Sequence, residues 1–470
     1  MKKCMIVSTA ALALLAGTSL ASANEDHKGI TGPFATPMDV TRKCLECHED
    51  ASKEVMATSH WTWELEQEID GKKVKRGKKN VLNNFCISIN SNWPRCTSCH
   101  VSYGWQDAHF DFSDESRVDC LVCHDSTGAY VKPGAGAGMP AGFTGKAGMD
   151  KKPVDLVHVA QNVGTPERDD CLRCHANGGG GNNVKHGDID MSLLNPDKSI
   201  DIHMAAEGNN FTCQECHQTS EHKISGNSII VSPMGSTPAS CGSCHDAAPH
   251  RESILNNHAD AVACQTCHIP SFAKKDATKM SWDWSQAEKG KAVEKEHGHK
   301  VYIAKKGRFT YELNVTPEYR WYNGAATAYT LGDKIDPAQV TKLNYPLGSI
   351  KDKNAKIMPF KVHTGKQIYD AKYNYLITPK VFGFEGDPEA FWINFDWNKA
   401  AEAGMKASGL PYSGKYGFAA TETYWPINHM VNAKEGSLQC LDCHGDQGRL
   451  DWKALGYKGD PMTVTGAARR

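Results

Sequence analysis

Arg95-Cys96-Thr97-Ser98-Cys99-His100 and, shortly after it, Asp119-Cys120-Leu121-Val122-Cys123-His124 each set two thiols three positions apart, with an imidazole directly behind the second. In a Cys-x-x-Cys-His motif the thiols bond to the two vinyl groups of a haem, and the imidazole becomes the proximal ligand of its iron. One short stretch therefore specifies cofactor, ligand and orientation together. Outward from this pair the motif recurs at Cys44, Cys47 and His48; Cys171, Cys174 and His175; Cys213, Cys216 and His217; Cys241, Cys244 and His245; Cys264, Cys267 and His268; and Cys440, Cys443 and His444. A single copy would also suit a redox-active thiol pair or half a zinc site; eight copies imply eight covalently bound haem c groups.

Residues 1–23 read as a cleaved secretory signal peptide: Met1-Lys2-Lys3, an apolar run over 5–20, and Ala21-Ser22-Ala23 as the small-residue cleavage site. The expected product is periplasmic, and no stretch reaches the roughly 18 apolar residues of a membrane span. Of 18 cysteines, 16 lie in motifs and Cys4 leaves with the signal, so Cys86 stands alone and no disulfide is expected within the mature chain. The length suggests two or three domains, but haems are themselves large apolar bodies that replace side-chain core. A net charge of −1 and the absence of a basic run argue against nucleic acid or an anionic membrane surface as partner.

Seven motifs fall between Cys44 and His268, and the eighth stands far away at Cys440. The mature chain thus divides into a haem-dense part, 24–270, and an aromatic-rich part, 271–470, that closes on the haem core and carries the last haem. The expected fold class is a multihaem cytochrome c, mainly α with much irregular loop and little β, organised around the haems. Segments 51–68, 154–162 and 248–263 read as helices, the last with His250 and His258 two turns apart and able to serve different haems. Alternation through Val301, Ile303, Phe309, Tyr311, Leu313 and Tyr319 predicts a small antiparallel hairpin within 300–322, and 397–408 reads as a helix. Trp282, Trp284, Trp321, Tyr322, Phe391, Trp392, Phe395 and Trp397 read either as packing for haem edges or as an ordinary aromatic core.

What fills the sixth position of each iron separates a wire from an enzyme. A second histidine saturates the metal, whereas an open or weakly held site admits substrate. Among the histidines outside the motifs, the distal-ligand candidates are His60, His186, His203, His222, His250, His258, His363 and His429, each with the alternative of a hydrogen-bonded structural role. His27 reads as part of a mobile terminus, and His297 and His299 as solvated members of a charged run.

The runs Asn84-Phe85-Cys86-Ile87, Ser91-Asn92-Trp93-Pro94-Arg95-Cys96, Tyr103-Gly104-Trp105, Lys185-His186-Gly187-Asp188, Pro359-Phe360-Lys361-Val362-His363 and Trp425-Pro426-Ile427-Asn428-His429 resemble the octahaem tetrathionate reductases. The resemblance covers nearly the whole mature chain and extends more weakly to hydroxylamine oxidoreductases and pentahaem nitrite reductases. The nitrite reductases mark their catalytic haem with Cys-x-x-Cys-Lys, which is absent here. The resemblance implies seven bis-histidine haems and one special haem, attached at Cys96 and Cys99 with His100 proximal and a lysine on the distal side. A lysine must shed its proton to bind iron, so such a ligand acts as a gate that substrate or a proton can displace. Lys132 is the first choice for it, with Lys151 and Lys152 as alternatives; any of them also reads as a surface charge. Cys86 reads either as a thiol that engages a sulfur substrate or as a small buried hydrophobe.

Three functions fit these readings. The first is a periplasmic reductase that takes electrons from a periplasmic or membrane-bound donor protein and delivers them to a small oxidised anion: tetrathionate, nitrite or hydroxylamine. The second is a non-catalytic electron carrier, which the histidine count permits. The third is an oxidase of hydroxylamine or a sulfur compound, which differs from the first in haem potentials.

Overall fold

The computed structural model describes residues 26–464 apart from 70, 86 and 230–237, so the signal read at 1–23 and Cys86 lie outside the described residues. In the haem-dense part the motifs form single helical turns or the ends of short helices, such as Leu121–His124, Arg168–His175, Cys213–Cys216 and Cys264–His268. The local cause is the backbone bond from the motif histidine to the first cysteine, at 2.9 Å for His48 to Cys44 and 2.8 Å for His217 to Cys213. One helical turn sets both sulfurs on the same face. The second motif departs from this: the His100 N–H bonds to the Thr97 carbonyl at 2.9 Å, and the chain leaves the turn in an extended conformation.

The expected helices are shorter than their patterns. Within 51–68 the chain forms Ala51–Met56 and Ser59–Thr62, and Trp63 then turns left-handed at φ 48°. Beyond it, Leu65–Ile69 pairs with Lys72–Arg76 as a hairpin, because Glu66 meets Lys73 and Glu64 meets Lys75 across the strands at 3.1 and 3.2 Å. Leu156–Ala160 is capped by the Asp155 carboxylate, and Ser253–His258 leaves His250 on the loop before it.

In the aromatic-rich part, β structure exceeds the small hairpin predicted at 300–322. His299–Ile303 and Gly307–Glu312 do pair, but Glu318–Tyr322 instead joins the long strand Lys356–Asp370. That strand lies inside a nine-stranded sheet and pairs antiparallel with Tyr416–Pro426 from Phe360↔Pro426 to Asp370↔Tyr416. The buried side chains Ile357, Phe360 and Ile368 make it a central strand, which sequence alternation over 300–322 alone had no means of showing. Trp282, Trp284, Phe391 and Trp397 belong to the main apolar core, with Trp282 and Trp284 stacked at 4.7 Å, so these four pack against protein. Helix Trp397–Ala407 forms as read. Among the described residues no helix is long and apolar enough to cross a membrane.

Polar staples bind the two parts around the second motif. Buried Asn92 accepts from the Val381 and Phe382 N–H groups at 3.0 and 2.9 Å and donates to the Pro379 carbonyl at 3.0 Å. Asn84 donates to the His363 carbonyl at 2.8 Å. Replacing Asn92 by Ala strands two buried amide donors, an expected loss of about 2–5 kcal/mol. Urea denaturation of the haem-loaded protein checks it, and an unchanged midpoint would show that the staple does not bear on stability.

Candidate haem sites and the exceptional second motif

An iron held between two imidazoles separates their ring centres by a fixed span. Each metal–nitrogen bond is about 2 Å and the nitrogen lies about 1 Å from its ring centre, which gives about 6 Å in all. Numbering the haems by motif order, the His48 ring lies 6.2 Å from His27 and the His124 ring 6.4 Å from His222. For haem 4 the His175 ring is 6.1 Å from His60, and for haem 5 His217 is 6.2 Å from His429. Haems 6 to 8 repeat the span, with His245 and His203 at 6.1 Å, His268 and His250 at 6.1 Å, and His444 and His258 at 6.3 Å. The residues present therefore fit a bis-histidine haem at seven motifs.

Hydrogen bonds at Nδ1 leave Nε2 for the metal in several of these rings. His124 and His217 bond the Gly164 and Ser225 carbonyls at 2.8 Å, and His258 bonds the Ile254 carbonyl at 2.7 Å. Carboxylates take the same position on His222 (Glu54, 2.7 Å), His429 (Asp188, 3.1 Å) and His444 (Asp460, 2.6 Å). Such partners set the tautomer and the orientation of the ring.

Three histidines differ from their sequence reading. His27, expected in a mobile terminus, faces His48 because the chain behind it is anchored: Gln161 donates to the Ile30 carbonyl at 2.7 Å, and Ile30, Phe34 and Met38 pack on the core that contains Val159. His186 and His363, expected as distal ligands, face no motif histidine. His186 lies edge-on to Trp425 at 5.2 Å, and His363 packs on Phe85 at 4.4 Å with its Nδ1 on Asn84 at 2.9 Å.

His100 is the exception among the motif histidines. It is fully buried, with Nδ1 2.6 Å from the Ser102 hydroxyl and Nε2 2.6 Å from the Trp61 carbonyl. A carbonyl only accepts, so in this arrangement the proton sits on Nε2. Trp61, Trp63, Trp105, Phe110 and Phe112 surround the ring within 6.2 Å, and burial holds its pKa down at about 3. Among the described ring contacts His100 is thus the motif histidine that faces an aromatic box and no second imidazole.

The lysines separate in the same way. Lys132 donates to the His100 carbonyl at 2.8 Å, the Ser102 carbonyl at 3.2 Å and the Asp119 carboxylate at 2.8 Å. All three ammonium protons are thereby used in a buried ion pair that braces the His100 loop, and no lone pair is offered to a metal. Lys151 and Lys152 are exposed in a loop. Lys185, which the sequence places only inside a family-like run, is half-buried, and desolvation lowers its pKa to about 7. Its Nζ lies 4.5 Å over the Trp425 ring, and the sulfur of Cys99 in the second motif is among its neighbours. The glycine run before it was the available signal: Gly179 has φ +80°, and a Cβ there would stand 2.9 Å from Val184 and 3.3 Å from Phe85. Lys78, exposed and 4.0 Å over Trp63, adds positive charge on the same side.

Sulfur neighbours order the motifs in space. Cys44 contacts Cys120, Cys171 contacts Cys213 and Cys241 contacts Cys264. Cys123 lies near Cys171 and Cys174, Cys216 near Cys244, and Cys267 near Cys440. Because these sulfurs mark haem edges, the motifs run 1–3–4–5–6–7–8, and the contact of Cys99 with Cys174 hangs haem 2 on haem 4.

Residues 279–447 match the family model described as bacterial cytochrome c, and 197–269 match cytochrome c7 and related cytochrome c. The chain is similar to an uncharacterised protein of Archaeoglobus fulgidus, at 25% identity over 47% of this chain and 91% of that one. It is also similar to the crystal structure of octaheme cytochrome c from Shewanella oneidensis, at 53% identity and a TM-score of 0.87, with 94% of this chain and 99% of that chain covered.

Exchange of His27 for Ala is expected to convert one low-spin haem to a high-spin form, whereas His186→Ala leaves the low-spin count unchanged. Low-temperature magnetic circular dichroism reads both, and the reverse pattern would overturn the pairing.

Proposed function

Because the chain belongs to the octahaem cytochromes c, we propose that it is a periplasmic reductase in which haem 2 is the substrate site and the other seven haems are the wire that feeds it. One observation carries this reading: seven motif histidines face a second imidazole at 6.1–6.4 Å, and His100 does not. A haem without a histidine pair supplies an iron that exchanges a ligand as well as an electron.

Lys185 is the amine we assign to the distal side of that iron, opposite His100. It is half-buried, close to Cys99, and desolvated enough to hold a free lone pair near neutral pH. The pentahaem nitrite reductases place a lysine in the motif itself; here the chain supplies one from a separate loop. Lys78 and Lys79 make the surroundings electropositive, which favours a small anion such as tetrathionate, whose central bond a pair of electrons cleaves; nitrite and hydroxylamine are further substrates of the same site. Cys86, from its place beside Phe85, is the second group we assign to sulfur chemistry.

Lys185→Met is expected to alter the spectrum of one haem and to lower tetrathionate turnover at least a hundredfold. Lys132→Met leaves the haem spectrum intact while costing about 3–5 kcal/mol through the unpaired Asp119. Electron paramagnetic resonance, turnover and denaturation of both variants test the assignment, with Cys86→Ser assayed beside them. The opposite outcome, with Lys132 altering the haem signal and Lys185 silent, would return the role to Lys132. Lys78→Ala raises KM for tetrathionate, by about tenfold at low salt and less at high salt, with kcat little changed.

A further inference from the structure

The groups bonded to Nδ1 of the axial imidazoles differ along the wire, and they differ in how strongly they pull on the ring proton. Haem 3 has a carbonyl behind His124 and the Glu54 carboxylate behind His222. Haem 5 has a carbonyl behind His217 and the Asp188 carboxylate behind His429. Haem 8 has a carbonyl behind His258 and the Asp460 carboxylate behind His444. The pattern thins elsewhere: at haem 7 His250 meets only the Asn256 amide oxygen at 3.2 Å, and at haem 6 the Asp201 carboxylate stands 4.0 Å from His203. Around His60 and His175 of haem 4 the charged neighbour common to both rings is the cation of Lys78.

An imidazole that donates its Nδ1 proton to a carboxylate gains imidazolate character. It becomes a stronger donor, and it stabilises ferric over ferrous iron. Positive charge nearby acts in the opposite sense. Haem 4 has haems 3 and 5 as wire neighbours and is also the haem in contact with haem 2.

We propose that Glu54, Asp188 and Asp460 are positioning residues that make haems 3, 5 and 8 harder to reduce than haem 4, so that electrons collect on haem 4 beside the substrate haem. An electron on haem 4 must then climb to leave along the wire in either direction, and haem 2 is its remaining exit. The pocket between two barriers holds one electron in place while the next arrives, which suits a reduction that consumes electrons in pairs. This inference rests on the pairing and order of haems given above.

The imidazole planes sort the haems into two classes. They are 9°, 24° and 12° apart at haems 1, 5 and 7, which give rhombic ferric signals, and 76°, 71°, 68° and 79° apart at haems 3, 4, 6 and 8, which give signals of large maximal g. Potentiometric titration of the haem-loaded protein, followed by electron paramagnetic resonance, reads the two classes separately. In Asp188→Asn one component of the rhombic class is expected to move to higher potential, with about a tenfold change in its ferric-to-ferrous ratio at fixed potential, or about 59 mV for one electron. In Glu54→Gln one component of the large-g class moves in the same direction, and in each variant the other components of both classes stay in place. Asp188 also accepts from the Asn428 and His429 N–H groups at 2.7 and 3.0 Å, so its variant disturbs a loop as well. Glu54 sits on a short surface helix, and its variant keeps the test sound if the first misfolds. Unmoved potentials in a folded Glu54→Gln protein would overturn the grading. A shift in a signal of the wrong plane class would overturn the pairing beneath it, whatever the substrate proves to be.

Discussion

An iron bonded to two imidazoles is a rigid strut of about 6 Å, and the tertiary structure is arranged to present its two ends. Each motif supplies one end within a single helical turn. The other end comes from a remote segment in several cases: His222 and His429 reach their partners from far along the chain. A haem wedged between such segments does what a cluster of large side chains does elsewhere, which is why the haem-dense part tolerates so little regular structure. His27 shows the constraint acting on a terminus, where a few apolar contacts and one bond from Gln161 hold an otherwise free segment at ligand distance.

The sheet of the aromatic-rich part has a different task. Its central strand carries Lys361 to the Val184 carbonyl and His363 to Asn84, and its neighbour Tyr416–Pro426 leads directly into the loop that holds His429. Asn84 and Asn92 bolt this sheet and the segment beyond it to the residues just before Cys96. The second haem is thus attached to a loop clamped on one side by the sheet, and on the other by the Lys132–Asp119 pair and the aromatic box around His100. That rigidity suits a site whose iron lacks the strut that holds the other seven.

Much of this was legible in the sequence. The motif pattern gives the cofactor, the count and the motif histidines, and His60, His203, His222, His250, His258 and His429 were recognisable as spare imidazoles near haem motifs. Local context misled at the edges. His27 read as part of a mobile terminus because Gln161, which anchors the segment at Ile30, is distant in sequence. His186 and His363 looked like ligands because a flanking apolar residue is the same signal whether the ring meets iron or Trp425. Lys132 stood out by closeness to a motif, yet its ammonium is consumed by Asp119 and two carbonyls. Lys185 was hidden, because desolvation is a property of everything packed around a residue and leaves no mark in its neighbours along the chain.

By itself the sequence determined covalent chemistry: thioether formation and the first axial ligand depend on residues within one helical turn, and spacing along the chain encodes that distance directly. Only the tertiary structure decided which imidazoles face each other, which motifs lie side by side, and that His100 sits against the Trp61 carbonyl in an aromatic box. Those outcomes depend on distances between segments far apart in the chain, and on the tautomer and burial that packing imposes, none of which a local pattern can carry.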